Sequence, residues 1–170
     1  SPANIHYNPI IAAAVRINAQ PRRNSGGSMD LVDRLVEHDI WLTRRIIDAA
    51  ATLTDEQLDA GLPSPQQPLS FEAADDTLRA VLTRLVMGKE VWLCGIHGRA
   101  CPGYAHRGVA WLRKRIDELA VEWLALVRKI NIEGRMDEQF IDLACEPPET
   151  FSYGGMIAHT LTVAAQRRGV

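Results

Sequence analysis

Between Asp30 and Val170 the apolar positions recur at spacings of three and four, the repeat of helices that each bury one stripe. Four long stretches carry it. The first runs from about Asp30 to Leu53, with Leu31, Leu35, His38, Leu42, Ile46, Ala49 and Leu53 as the expected buried stripe. Ser28 would cap it, and Asp30 and Asp33 would sit in its electropositive first turn. The second covers roughly Asp75 to Gly95, with Leu78, Leu82, Leu85, Lys89 and Trp92 on one stripe. Gly88 interrupts it, which points to a close packing partner or an open pocket opposite. The third is the most regular: from Arg107 to Ile130, Val109, Leu112, Ile116, Leu119, Trp123, Leu126 and Ile130 step by three and four without a miss. The last starts between Tyr153 and Met156 and lines up His159, Val163 and Arg167, four apart, on one stripe.

The connections follow from their breakers. Thr54-Asp55-Glu56-Gln57 has the form of a capping box and predicts a short helical turn ending at Gly61. Pro63, Pro65 and Pro68 then forbid regular helix, so the segment to Ser70 is expected to be a loop, a long crossover that places the second helix beside the first. Gly95, Gly98, Pro102 and Gly103 mark another loop. After Gly134 the pattern is irregular, with a short extended piece expected over residues 140–144 and Pro147-Pro148 breaking any helix. No series of strands emerges, so the expected class is all-α, a four-helix bundle. Residues 1–28 stand apart, because Pro21-Arg22-Arg23-Asn24-Ser25-Gly26-Gly27-Ser28 has linker composition. The expected organisation is a flexible or peripheral segment, 1–28, followed by one helical domain, 29–170.

Composition narrows the function classes. A chain of 170 residues, 46% hydrophobic, suffices for one substantial core. A formal net charge of -2 lacks the basic footprint of a nucleic-acid binder, and the apolar run Ile10 to Val15 is too short to span a membrane. Cys94, Cys101 and Cys145 are too few and scattered for a disulfide framework and form no CxxC pair, which favours reduced thiols in a cytoplasmic protein.

The chemistry-bearing residues are sparse. His38 lies within the expected first stripe, where a histidine is commonly packed and hydrogen-bonded rather than a ligand. Arg84 and Lys89 are unusual occupants of the second helix; both can lay their stems along apolar surface or turn a charge toward an anion. His97 and His106 have no ligand-like spacing. The run Arg113, Lys114, Arg115, Asp117, Glu118 and Glu122 reads as a solvated helical face.

Several stretches together resemble the DinB/YfiT-like family of four-helix-bundle proteins. Glu37-His38-Asp39-Ile40-Trp41, followed by Leu53-Thr54-Asp55-Glu56-Gln57-Leu58, resembles its first helix and exit. Thr77 to Leu85 and Glu90-Val91-Trp92-Leu93 resemble its second helix, and Thr150-Phe151-Ser152 through His159-Thr160-Leu161 to Val170 its terminal helix. The resemblance implies a divalent-metal site with one histidine from the second helix and two, spaced HxxxH, from the last. Those positions fall here on Arg84, Val163 and Arg167, none an ordinary metal ligand.

The expectation is therefore a bundle with a degenerate metal site and no cofactor. It would act as a small-ligand-binding or interaction module, with a pocket between the long helices formed by His38, Arg84, Lys89, His159, Val163 and Arg167. Two guanidinium groups in place of metal ligands would favour a small anionic guest. A homodimer is expected from the architecture. The alternative implied by the resemblance is a metal-dependent hydrolase or low-molecular-weight-thiol transferase. It would hold zinc, nickel or iron through a substitute set such as His38, His159 and Glu37 or Glu90.

Overall fold

A computed structural model of the protein describes residues 30–66, 75–105, 107–142 and 147–169. The expected 1–28 segment, the Ser28 cap, Pro68, His106 and Cys145 lie outside the described residues. The protein is mainly helical. Helix α1 spans Leu31–Ala50 and α2 Asp55–Leu58; strand β1, Gly61–Gln66, pairs antiparallel with β2, Asp75–Thr77. Then come α3, Leu78–His97, and α4, Val109–Ile132, followed by the antiparallel pair β3, Gln139–Asp142, and β4, Glu149–Ser152, and finally α5, Tyr153–Arg167.

Each long helix except α4 begins on a side-chain cap. The Asp30 carboxylate accepts from Val32 N, Thr77 Oγ1 from Ala80 N and Ser152 Oγ from Gly155 N, while α4 starts at Gly108 without one. Thr54 and Gln57 complete the expected capping box at α2.

The segment expected to be a loop after Gly61 is instead extended as β1. Proline's fixed φ suits an extended chain, and its missing N–H is tolerable where a strand is paired on one side only. The cost is an irregular ladder: Gly61 pairs with Thr77 and Gln66 with Asp75, with a register shift between them. The ribbon delivers Asp75 to the root of α3. The second ribbon is regular, Gln139 opposite Ser152 through Asp142 opposite Glu149. Its first strand overlaps the extended piece expected at 140–144.

One core joins the four long helices, with Ile40, Ile47, Leu82, Leu93, Leu112, Ile116, Leu119, Trp123, Ile130 and Met156 among its enclosed side chains. Helix α1 packs most extensively on α4, α3 lies against both α4 and α5, and α1 also meets α3 and α5. Helices α1 and α4 run antiparallel, since Arg44 pairs with Asp117, Glu37 with Arg128 and Asp30 with Asn131. The α4 stripe is buried at Leu112, Ile116, Leu119, Trp123 and Ile130, as the periodicity predicts.

The α1 stripe requires correction. Leu31 and Leu35 are exposed and so is His38, whereas the buried face is Val36, Asp39, Ile40, Thr43, Ile46, Ile47 and Ala50. That set also has helical periodicity, but it admits an aspartate and a threonine. The helix is oriented so that Asp39 makes an ion pair inside.

Gly88, half-buried in α3, has neither the close partner nor any atom within 4 Å of where a Cβ would stand. The extra conformational freedom of glycine in the unfolded chain is then uncompensated. Gly88→Ala is expected to raise stability by about 1 kcal/mol. Urea unfolding checks this, and an unchanged or lower midpoint would refute it.

Candidate functional site

The interior of the helical layer is polar at one place. Asp39 lies three residues after Val36 and four before Thr43, so the α1 periodicity carries it inward. Lys89 reaches it from α3: its Nζ stands 2.8 Å from Asp39 Oδ2, and the two side chains are 1% and 2% exposed. Oδ2 makes no hydrogen bond by geometry, which makes this contact chiefly Coulombic. The ammonium also donates to Leu85 O at 3.1 Å. From the end of α5, Arg168 Nη1 donates to Asp39 Oδ1 at 2.5 Å, and Thr43 Oγ1 donates to Asp39 O. Three helices thus converge on one carboxylate.

A second carboxylate, Asp75 on β2, is held in the same way. Arg84 Nε lies 2.7 Å from Oδ1 and Arg167 Nε donates to Oδ2 at 2.9 Å, with Asp75 and Arg167 each 7% exposed. Arg167 and Arg168 are adjacent in sequence, and the turn of about 100° between successive helical positions sends them to different acids. Both guanidinium groups stand at the C-terminal end of α5, where the helix dipole favours positive charge.

The structure brings Arg84 and Arg167, which the resemblance placed at ligand positions, together around a carboxylate of the chain itself. Lys89 is committed to the other acid. His38 is exposed and stacked near Trp41 at a centroid distance of 5.6 Å. His159 is half-buried and edge-on to Trp92 at 6.2 Å, and Val163 is half-buried on α5. Of the substitute metal donors, Glu37 accepts from Arg128 at 2.6 Å and Glu90 is taken by Arg115. Among the described residues, no group of three or more His, Cys, Asp or Glu is placed to hold a metal ion.

A third cluster escaped the sequence reading. Glu90, fully buried on α3, faces α4 and the loop between them. Arg115 forks onto it, Nε to Oε2 at 3.0 Å and Nη2 to Oε1, and Tyr104 donates its hydroxyl to Oε2. Desolvation pushes the Glu90 carboxyl up, but the hydrogen bonds from Arg115 and Tyr104, with the charges of Arg115 and Arg99, together hold it below its ordinary value. Burial, then the bond to Glu90, pushes the Tyr104 hydroxyl well up, so it stays a donor.

Beside this cluster opens a pocket of about 620 Å³, lined in part by Glu90, Arg99, Cys101, Trp111, Lys114 and Arg115. Its outer wall is the loop that leaves α3 at Gly98, whose φ of 60° reverses the chain. The sequence marked Glu90 only as a substitute metal donor; its actual partners lie 14 and 25 residues away with no spacing rule to connect them.

Comparison of the chain with protein-family models, curated proteins and solved structures finds no match.

Removing one member of a buried pair costs more than the pair contributes, because the partner is left uncompensated. Asp39→Asn strands Lys89 and is expected to cost about 3–5 kcal/mol in chemical denaturation; a loss below about 1 kcal/mol would contradict the clamp. For Glu90 the sign is that of a depressed carboxylate. Its contribution is full above the unfolded-state value and is lost as pH falls through the lower folded value. Between neutrality and strong acid, Glu90→Gln should therefore flatten the fall of stability below about pH 4.5. Unfolding midpoints measured across that range check it, and parallel acid limbs for wild type and variant would count against it.

Proposed function

We propose that this chain is a small-ligand-binding module of the DinB/YfiT-like four-helix-bundle type, working without a bound metal, and that its guest is a small organic anion held in the Trp111 pocket. The resemblance drew attention to Arg84, Val163 and Arg167. Two of these positions hold guanidinium groups already neutralised by Asp75, so an anion arriving there would have to displace a nearly buried carboxylate. In the Trp111 pocket the buried carboxylate, Glu90, occupies Arg115, and the other two cations face only exposed acids. Its volume suits a metabolite-sized molecule.

The observation that carries this reading is the composition of the pocket wall. Arg99, Lys114 and Arg115 set three cations against the two carboxylates Glu90 and Glu118, and Trp111, Ala100 and Pro102 supply apolar surface. Glu90 is committed to Arg115 and Tyr104, which leaves Arg99 and Lys114, at the more exposed side, as the groups best placed to greet a carboxylate or phosphate. Both have acidic neighbours, Glu122 at 2.6 Å from Arg99 and Glu118 at 3.8 Å from Lys114. These are exposed pairs of small net strength, which a guest can exchange at little cost.

Calorimetric titration with benzoate and phenyl phosphate, and with benzamidine as the cationic control, tests the proposal. Saturable binding of the anions at a Kd of about 1 mM or tighter is expected. It should weaken at least severalfold in the Arg99→Ala, Lys114→Ala double variant. Preference for benzamidine, or no binding of any probe, would overturn it. Near-stoichiometric zinc, nickel or iron in the untagged protein as isolated would instead support the hydrolase or thiol-transferase reading.

A further inference from the structure

The end of α3 is built so that two cysteines meet. Gly98, in the left-handed conformation, lets Arg99 N donate to Cys94 O at 3.0 Å and Gly98 N to Gly95 O at 3.3 Å, the paired bonds of a Schellman turn. The chain is thereby folded back along the helix it has just left. Cys101 lands beside the preceding turn, its Sγ 3.8 Å from Glu90 O, the carbonyl one helical turn before Cys94. In a helix the Cα–Cβ bond tilts toward the N-terminus, so the Cys94 side chain leans over that same turn and the returning loop brings Cys101 against it. Cys94 is buried and Cys101 lies in the exposed loop, both as free thiols.

We infer that Cys94 and Cys101 are a thiol–disulfide site: a low-molecular-weight disulfide oxidises them to an intramolecular bond that staples the loop to the last turns of α3. In the first exchange the Cys101 thiol gives its proton to solvent and its sulfur attacks the oxidant. The S–S bond of the oxidant breaks, one half leaves as a thiolate that takes up a proton, and a mixed disulfide remains on Cys101. Cys94 then loses its proton, attacks Cys101 Sγ and expels the second half of the oxidant, again released as a thiol. The protein has lost two electrons and two protons, and the oxidant has gained them. Cys101 is the entry point because it lines the open pocket whereas Cys94 is buried; Cys94 resolves because it stands on the turn of α3 against which Cys101 lands.

The pair is slow by construction. Burial of its sulfur, then the neighbouring Cys94 thiol, pushes the Cys101 thiol up to about 12, although the residue as a whole is exposed, because Sγ is turned onto the Glu90 carbonyl. The thiolate is scarce near neutrality, so the rate should climb about tenfold per pH unit between pH 7 and 9. Such a site responds to sustained oxidation rather than to a brief pulse. The staple sits in the wall of the Trp111 pocket, but the inference does not depend on what that pocket binds.

Incubating the full chain with oxidised glutathione at pH 8, blocking free thiols and digesting with trypsin without reduction reads the outcome directly. Cleavage after Lys89, Arg99 and Arg107 separates the two cysteines into different peptides, residues 90–99 and 100–107. The expected product is those two peptides linked. Cys94→Ser should instead accumulate a lasting glutathione adduct on Cys101, and Cys101→Ser should yield no linked product. A lasting adduct on Cys101 in the wild-type protein, linkage through Cys145, or both thiols still free after prolonged exposure would overturn the inference.

Discussion

A single carboxylate organises the interior. Asp39 and Lys89 are both almost wholly withdrawn from water, which would be prohibitive for either alone and is tolerable only because they face each other. Arg168 adds a second positive charge, but it keeps 11% of its surface exposed, so the surplus drains toward solvent. The same pattern recurs around Asp75, where Arg167 is nearly enclosed and Arg84 keeps 16% exposure. In each cluster a buried carboxylate is shared by two cations, and the cation with more access to water carries the excess charge.

This arrangement does more for choosing one packing than for stability as such. A hydrophobic trio of similar volume could hold α1, α3 and α5 together at no greater free energy. It would also tolerate a rotation or a one-turn slide of any helix. The charged trio does not, since a rotation that withdraws Asp39 leaves a lysine ammonium in an apolar interior. Adjacent arginines at the end of α5 strengthen the constraint, because turning that helix shifts both guanidinium groups relative to their two acids at once.

This is also why some of the architecture was legible in the sequence and some was not. Helix α4 buries an almost purely apolar face, so counting apolar residues finds it. Helix α1 buries Asp39 and Thr43, and an apolar count shifts the stripe onto Leu31 and Leu35, which the fold leaves outside. Had polar residues been allowed on the stripe, Val36, Ile40, Thr43, Ile47 and Ala50 would have formed the better helical repeat, with Asp39 among them. Periodicity cannot say that Lys89 is its partner. Asp75 is harder still, because its burial depends on a proline-rich strand pairing back across residues that carry no strand pattern. The meeting of Arg84 and Arg167 was expected only from the ligand positions that the resemblance implied, and the acid between them was not expected at all.

Helix α3 connects the clamp to the pocket. Lys89 and Glu90 are consecutive, so one charge is aimed at α1 and the other about 100° away at α4 and the loop. Fixing Lys89 on Asp39 therefore fixes the azimuth of Glu90, which in turn holds Tyr104 and Arg115 and so sets the floor of the Trp111 pocket. The Schellman turn completes the wall by returning the chain along the same helix. The pocket is polar at its base, where Arg115 neutralises Glu90, and its other two cations, Arg99 and Lys114, lie toward the rim. A cavity of that kind would offer the anionic end of the proposed guest a partner near solvent and its apolar body a place beside the indole, and the helix that shapes it is held in azimuth by a charge pair on its adjoining face.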